Sequence, residues 1–139
     1  MYRFRWAPMV RLARLLTGTD PAAEELVQDA FLRVGPRWDV IENPVSYLRA
    51  AVVNGCRNHQ RRRKIERREI PAAGVADDDR FELRGALEAL PVRQRSAVVL
   101  RYYEDLPEAE IAELLDCSVP AVKSLLHRAV QDLRKVIER

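Results

Sequence analysis

The sequence predicts an all-α fold: two small helical domains joined by a flexible linker. Three observations lead there. Strand signals are almost absent, whereas helix start and stop residues are dense. Apolar residues recur at helical spacing along most of the chain. The tract PAAGVADDD, residues 71–79, has the composition of a linker and divides the chain. A chain of 139 residues has room for one domain or two small ones. Hydrophobic residues make up 47% but aromatics only 6%, which suits small cores of Ala, Leu and Val.

The elements follow in order. Met9 to Leu16 forms a first amphipathic helix, closed by Thr17 and Gly18. Asp20 and Pro21 read as an N-cap and a first helical proline, and Glu24 and Glu25 suit the positive end of the helix they open. That helix runs to about Val34 and stops at Gly35-Pro36. Asn43-Pro44 repeats the start signal for a long helix that reaches the basic run near Arg68, and Pro71 ends it. These elements make a first domain, residues 1–70. After the linker, a second domain at 80–139 opens with helical segments Phe81–Leu90 and Pro91–Tyr103.

The segment LPEAEIAELLDCSVPAVKSLLHRAVQDLR reads as a helix-turn-helix. Pro107 can take a first helical position, where its missing N–H costs nothing. Ile111, Ala112, Leu114 and Leu115 form an apolar stripe. Asp116 and Cys117 make a short turn, and Ser118 caps a second helix. There Val119, Val122, Leu126, Ala129, Val130 and Leu133 recur at helical spacing and face inward. Lys123, Ser124, His127, Arg128, Gln131 and Arg134 face outward. Cationic and hydrogen-bonding groups on such a helix suit entry into a DNA major groove, although two amphipathic helices can also make an ordinary corner.

Charge is distributed unevenly. Residues 1–70 hold 14 Lys/Arg against 8 Asp/Glu, and residues 71–139 hold 10 against 13, so the first domain carries the field that attracts phosphate. Only Lys64, Lys123 and Lys135 are lysines, a bias that fits a GC-rich genome. Cys56 and Cys117 lack the spacing of a metal site and read as isolated thiols. Asp77 to Asp79, with no supporting His or Glu, read as solvated linker charge. No cofactor or metal site is expected. No apolar run approaches a membrane span, no signal peptide opens the chain and no segment extends past the second domain. A cytoplasmic protein without membrane insertion or a ligand-binding appendage is the expectation.

The first domain offers two faces. At about 3.6 residues per turn, Ala23, Leu26, Val27, Ala30, Phe31 and Val34 line one side of the Asp20–Val34 helix. Glu25, Gln28, Asp29 and Leu32 line the other. An acidic patch around an apolar knob, Leu32, is what docking of a protein partner needs, though one exposed leucine is also ordinary. The long helix buries Val45, Leu48, Ala51 and Val52 and shows Tyr47, Asn54, Arg57, Asn58 and Arg61 on or beside its exposed side. Residues 57–68 add up to seven Arg/Lys. Cations hold backbone phosphate, an aromatic ring stacks on an unpaired base and an amide reads a base edge. The set suits DNA that is being opened.

With these motifs in place, the chain resembles the extracytoplasmic-function (ECF) sigma factors of bacterial RNA polymerase. LARLLTGTDPAAEELVQDAFLRV resembles the family's polymerase-binding helix, of the form D-x-x-D-A-E-D-L-V-Q-E-x-F. PVSYLRAAVVNGCRNHQRRRK resembles its −10 recognition and melting helix, W-L-x-x-I-A-x-N-x-x-x-D-x-x-R-R. ALEALPVRQRSAVVLRYYEDLPEAEIAELLDCSVPAVKSLLHRAVQDLR follows its −35-binding region. The resemblance implies that Glu25, Gln28, Asp29 and Leu32 dock on the clamp coiled coil of core polymerase. It implies that Tyr47, Asn54, Arg57, Asn58 and Arg61, with the Arg37–Asn43 loop, hold the single-stranded non-template −10 element. Asn54 then matches a pocket asparagine for a flipped base. Pro120, Ala121, Lys123, Ser124, His127 and Arg128 read the duplex −35 element. The linker threads towards the RNA exit channel, and an anti-sigma factor, which can sit at the membrane, is the implied regulator.

This sequence departs from the family pattern at five positions. Tyr47 stands for Trp, Asn58 for Asp, Asp116 for a turn Gly, Pro120 for Gly and Leu125 for Arg. Two other readings are weaker. A stand-alone helix-turn-helix regulator needs a receiver or ligand pocket, and residues 1–70 show no strand pattern or acidic triad. A DNA-acting enzyme needs clustered metal ligands or an activated nucleophile, and neither is visible. No catalytic activity and no small-molecule substrate are expected.

Overall fold

The structure is a computed structural model that describes residues 2–18, 21–66 and 85–137. Among them the regular secondary structure is helical throughout. The chain forms two compact units, Met1–Ile70 and Pro71–Arg139. The linker at 71–79, the Asp20 cap, Phe81 and the end of the basic run at 67–68 lie outside the described residues.

The first unit packs three helices against one another: α1 (Tyr2–Thr17), α2 (Ala22–Val34) and α3 (Pro44–Glu66). Helix α1 starts seven residues before the expected Met9, with Pro8 inside it. A proline there removes one helical donor, yet the turn before it is held by tertiary packing. Trp6 lies 5.6 Å from the Phe31 ring, centroid to centroid. The helix stops at Gly18, whose φ of 75° is left-handed and whose N–H reaches the Arg14 carbonyl at 2.8 Å. Helix α2 ends where expected and tightens into a short 3-10 turn, Gly35–Arg37. Asn43 opens α3, its Oδ1 accepting from the Ser46 N–H at 3.4 Å.

The shared core takes Leu12, Ala13 and Leu16 from α1, Val27, Phe31 and Val34 from α2, and Leu48, Val52, Val53 and Cys56 from α3. The expected stripe of α3 is therefore wider, gaining Val53 and Cys56, while Val45 and Ala51 are only half-buried. Leu26, expected in the core, is likewise half-buried. Gln60 ties α3 to the end of α1 by donating to the Leu16 carbonyl. Arg14 and Glu24 pair at 3.1 Å on the surface, a contact worth at most about 1 kcal/mol.

The second unit contains a helical turn at 85–89, then α4 (Val92–Val98), α5 (Glu108–Leu115) and α6 (Val119–Ile137). Helix α4 widens at its end into a π-helical turn, Val99–Tyr103, which the sequence pattern does not announce. The Glu104 N–H reaches back to the Val99 carbonyl at 3.1 Å, and that of Leu106 to Leu100. Burial pulls the Arg95 guanidinium below its usual pKa, and nearby Glu88 opposes the shift. Pro107 is the residue before α5 and not its first helical position: its ψ of 153° is extended.

Cys56 is 1% exposed, and burial pushes its thiol up to about 12. The sign is that of a group held in its neutral form, so no thiolate is present at neutral or mildly alkaline pH. We expect Ellman's reagent at about pH 8 to label one thiol per native chain, the partly exposed Cys117, and both after denaturation. Two fast-reacting thiols in the native chain would contradict the packing of α3.

Asp116 sits at φ 54° and ψ 53°, a left-handed conformation that disfavours a side chain. Asp116→Gly is expected to raise stability by about 1 kcal/mol and Asp116→Ala to lower it. Thermal unfolding followed by circular dichroism ranks the three chains, and an unchanged midpoint for glycine would show the turn to be unstrained.

Candidate nucleic-acid interface

In the second unit, the turn after α5 aims α6. The Asp116 N–H reaches the Glu113 carbonyl at 3.3 Å and that of Cys117 the Ala112 carbonyl at 2.9 Å, closing α5. Ser118 Oγ then accepts from the Ala121 N–H at 3.2 Å and opens α6. Arg93 of α4 donates from Nη2 to the Leu115 carbonyl at 3.3 Å, fastening the same corner from behind. Sequence reasoning did not single out Arg93, because nothing local to the motif marks it.

Helix α6 buries Val122, Leu126 and Ala129. Lys123, Ser124, His127 and Arg128 are all exposed, as are Gln131 and Arg134. Pro120 is exposed and Ala121 half-buried beside them. The structure thus gathers every −35 candidate on one side of α6, two cations, a hydroxyl and an imidazole among them. Leu125 sits half-buried at the edge of the core.

In the first unit, the sequence candidates divide. Seven residues are about two helical turns, so Tyr47, Asn54 and Arg61 fall on one line of α3 with Asn58 beside it. All four are exposed, Tyr47 by 47%. The Arg37 guanidinium lies 6.0 Å from the centroid of the Tyr47 ring, near enough for a cation–π contact that steadies one face of the ring. Arg57 stands off this line, half-buried and engaged with another group. In the loop between, Val40 is 83% exposed, an apolar side chain at the tip that composition alone did not flag.

On α2, Glu25, Gln28, Asp29 and Leu32 are exposed, Leu32 by 64%. Lying three, four and seven residues before Leu32, Asp29, Gln28 and Glu25 share its side of α2. Asp29 lines a cleft between α2 and α3 with Asn54, Asn58 and Arg61, whereas Glu25, Gln28 and Leu32 lie outside it. Arg33 and Arg62 line the same cleft and were not among the sequence candidates, because each reads as one more surface arginine. No group of side chains able to hold a metal ion occurs among the described residues, nor any helix long and apolar enough to cross a membrane.

Comparison with known proteins gives this arrangement a family. Residues 5–65 match Sigma-70 region 2 and residues 80–133 match Sigma-70, region 4. The chain is 37% identical to an RNA polymerase sigma-E factor of Streptomyces avermitilis, over 98% of this chain and 82% of that one. Its identity to the sigma-E factor of Streptomyces coelicolor is 35%, over 96% and 81%. Among solved structures it resembles the Mycobacterium tuberculosis extracytoplasmic function sigma factor SigJ, with TM-score 0.70 and 32% identity over 94% of this chain and 50% of that one. It shares its fold with the sigma factor RpoE of Bartonella quintana, crystallised with the anti-sigma factor NepR, at TM-score 0.78 and 23% identity over 96% and 91%. The two matched regions lie in the two units, in the order that the helix-turn-helix and the long basic helix required, and the chain belongs to the extracytoplasmic-function RNA polymerase sigma factors.

Proposed function

We propose that this sigma factor binds core RNA polymerase through α2 and selects promoters through α3 and α6. One observation carries the reading. The first unit exposes Leu32 among Glu25 and Gln28 on one helix, and a separate stripe of Tyr47, Asn54, Asn58 and Arg61 on another. A factor that only gripped duplex DNA would have no use for the first, and a protein adaptor none for the second.

The residues then have distinct work. Leu32 enters an apolar pocket of the clamp coiled coil, with Glu25, Gln28 and Asp29 as its polar rim. Tyr47, braced by Arg37, stacks on an unpaired base of the −10 element. Asn54 and Asn58 read base edges, while Arg61 holds backbone phosphate. Arg57 contributes through its half-buried stem, fixing α3 beside the strand. Capturing a base already out of the stack offsets the cost of unstacking, so binding drives melting. In the second unit, α6 enters the major groove of the −35 element. Lys123, His127 and Arg128 approach phosphates and base edges, and Pro120, Ala121 and Ser124 make the close contacts of its first turns.

Residues 1–70 form the polymerase and −10 module, residues 80–139 the −35 module, and residues 71–79 join them through the polymerase. Chemistry on the nucleotides belongs to core polymerase, and this chain contributes no catalytic group. An anti-sigma factor that covers the Leu32 face would silence it in the cytoplasm, in line with the Bartonella complex of a protein sharing this fold.

Leu32→Asp should abolish holoenzyme assembly, a loss of about 2 kcal/mol or more, while circular dichroism stays that of the native chain. Co-migration of the variant with core polymerase on size exclusion would remove α2 as the docking face. Run-off transcription with core enzyme on a library of promoter fragments tests the whole reading. Initiation at defined sites only when the protein is present is expected. Silence from core enzyme, combined with tight binding of the free protein to duplex DNA, would overturn it.

A further inference from the structure

The cleft between α2 and α3, about 580 Å³, has a composition that the α3 stripe alone does not explain. Arg33, Arg61 and Arg62 line it together with Asn54 and Asn58. Asp29 is the single carboxylate of the lining. None of the three arginines is paired with a carboxylate of any described residue, and all three are exposed. Three guanidinium groups against one carboxylate leave a cationic excess. Such groups converge at little cost only when solvent, or an anion, separates them.

We propose that the cleft holds the sugar–phosphate backbone of the unpaired DNA strand, with Arg33 of α2 as a phosphate contact. This rests on the reading that α3 takes the single-stranded −10 element. It extends the strand's path off α3 onto the helix that docks on polymerase. The α3 side of the cleft runs from Ala51 to Arg62, which is about 16 Å at about 1.5 Å per residue. That length suits a run of nucleotides better than one free phosphate. Guanidinium groups match phosphate oxygens, and the amides of Asn54 and Asn58 both donate and accept, as base edges require. Asp29 shares the cleft with these groups, so the helix that binds polymerase and the strand that is captured meet at one place.

The experiment uses assembled holoenzyme and a fluorescein-labelled single strand carrying the −10 sequence of an initiating promoter fragment, with a scrambled strand beside it. Anisotropy is followed across a salt series for wild type, Arg33→Ala, Arg33→Lys and Asn54→Ala. We expect Arg33→Ala to weaken both strands equally, by about fivefold, and to reduce the salt slope by about 0.7. Arg33→Lys should keep most of the affinity and the slope. Asn54→Ala should instead narrow the gap between the two strands. Unchanged affinity and slope in Arg33→Ala would overturn the proposal. So would weaker assembly with core polymerase at unchanged strand affinity, which would give Arg33 to the protein interface. Saturable binding of AMP to the free protein, lost in Arg33→Ala while strand affinity holds, would make the cleft a nucleotide site and overturn it too. If wild-type holoenzyme fails to bind either strand, the α3 reading falls with it. If wild type binds and Arg33→Ala binds equally, only the cleft assignment falls.

Discussion

Leu48, Val52, Val53 and Cys56 hold α3 by one side only, and the exposed stripe of Tyr47, Asn54, Asn58 and Arg61 lies on the other side. Leu48, Val52 and Val53 are fully buried and Cys56 nearly so, which fixes the rotation of the helix about its own axis. Close packing leaves little freedom to turn it. Tyr47, Asn54 and Arg61, spaced by seven, then emerge along one slowly winding line. Moving the buried set by one position would carry Asn54 towards the core. The chemistry of the exposed stripe is thus a consequence of the core. A substitution such as Val52→Thr would disturb both at once.

The second unit solves a different problem, that of holding a helix out while keeping its angle. Helix α6 runs from Val119 to Ile137, longer than the helix that supports it, and only its inner side is packed. Its angle therefore depends on the corner before it. Asp116 in a left-handed conformation makes that corner, Ser118 starts the next helix and Arg93 fastens the end of α5. The π-helical turn at Val99–Tyr103 does related work upstream. It widens α4 by one residue, and the chain then leaves through Asp105, also left-handed at φ 54°, so that Leu106 enters the core.

The elements that the sequence made legible are those with long amphipathic repeats. Helix α6 was legible because Val122, Leu126 and Ala129 recur in step with its turns and Ser118 marks its start. The end of α2 was legible because Gly35-Pro36 is strong punctuation. The first turns of α1, before Met9, were not, because Pro8 speaks locally for a boundary while the Trp6–Phe31 contact that overrules it joins residues far apart in the chain. The π-helical turn was hidden for a similar reason: VLRYY carries no breaker and fits an ordinary helix equally well. For the candidate site, residue type and spacing were enough to find the α3 stripe and the α6 face. They could not show that Arg33 and Arg62 share a cleft with Asn54, since that follows from how α2 packs on α3. Nor could they show Arg57 to be half-buried and engaged, because that depends on a neighbour.

Charge and shape are divided between the units in a way that bears on specificity. Residues 1–70 carry the excess of cations, yet the helix shaped for a major groove lies in residues 80–139, where acids and bases balance at ten each. Phosphate neutralisation supplies most of the affinity of a small DNA-binding module. A helix-turn-helix unit with no net positive charge is therefore a weak binder by itself, whatever its outward face reads. Held at a fixed distance from a second DNA-binding surface, the same face meets its site at a high effective concentration, and a weak contact becomes a selective one. Because neither surface is strong alone, each mismatch in either element subtracts from a small total and is felt in full. Core polymerase, which a sigma factor binds together with promoter DNA, is then what makes the two readings count together.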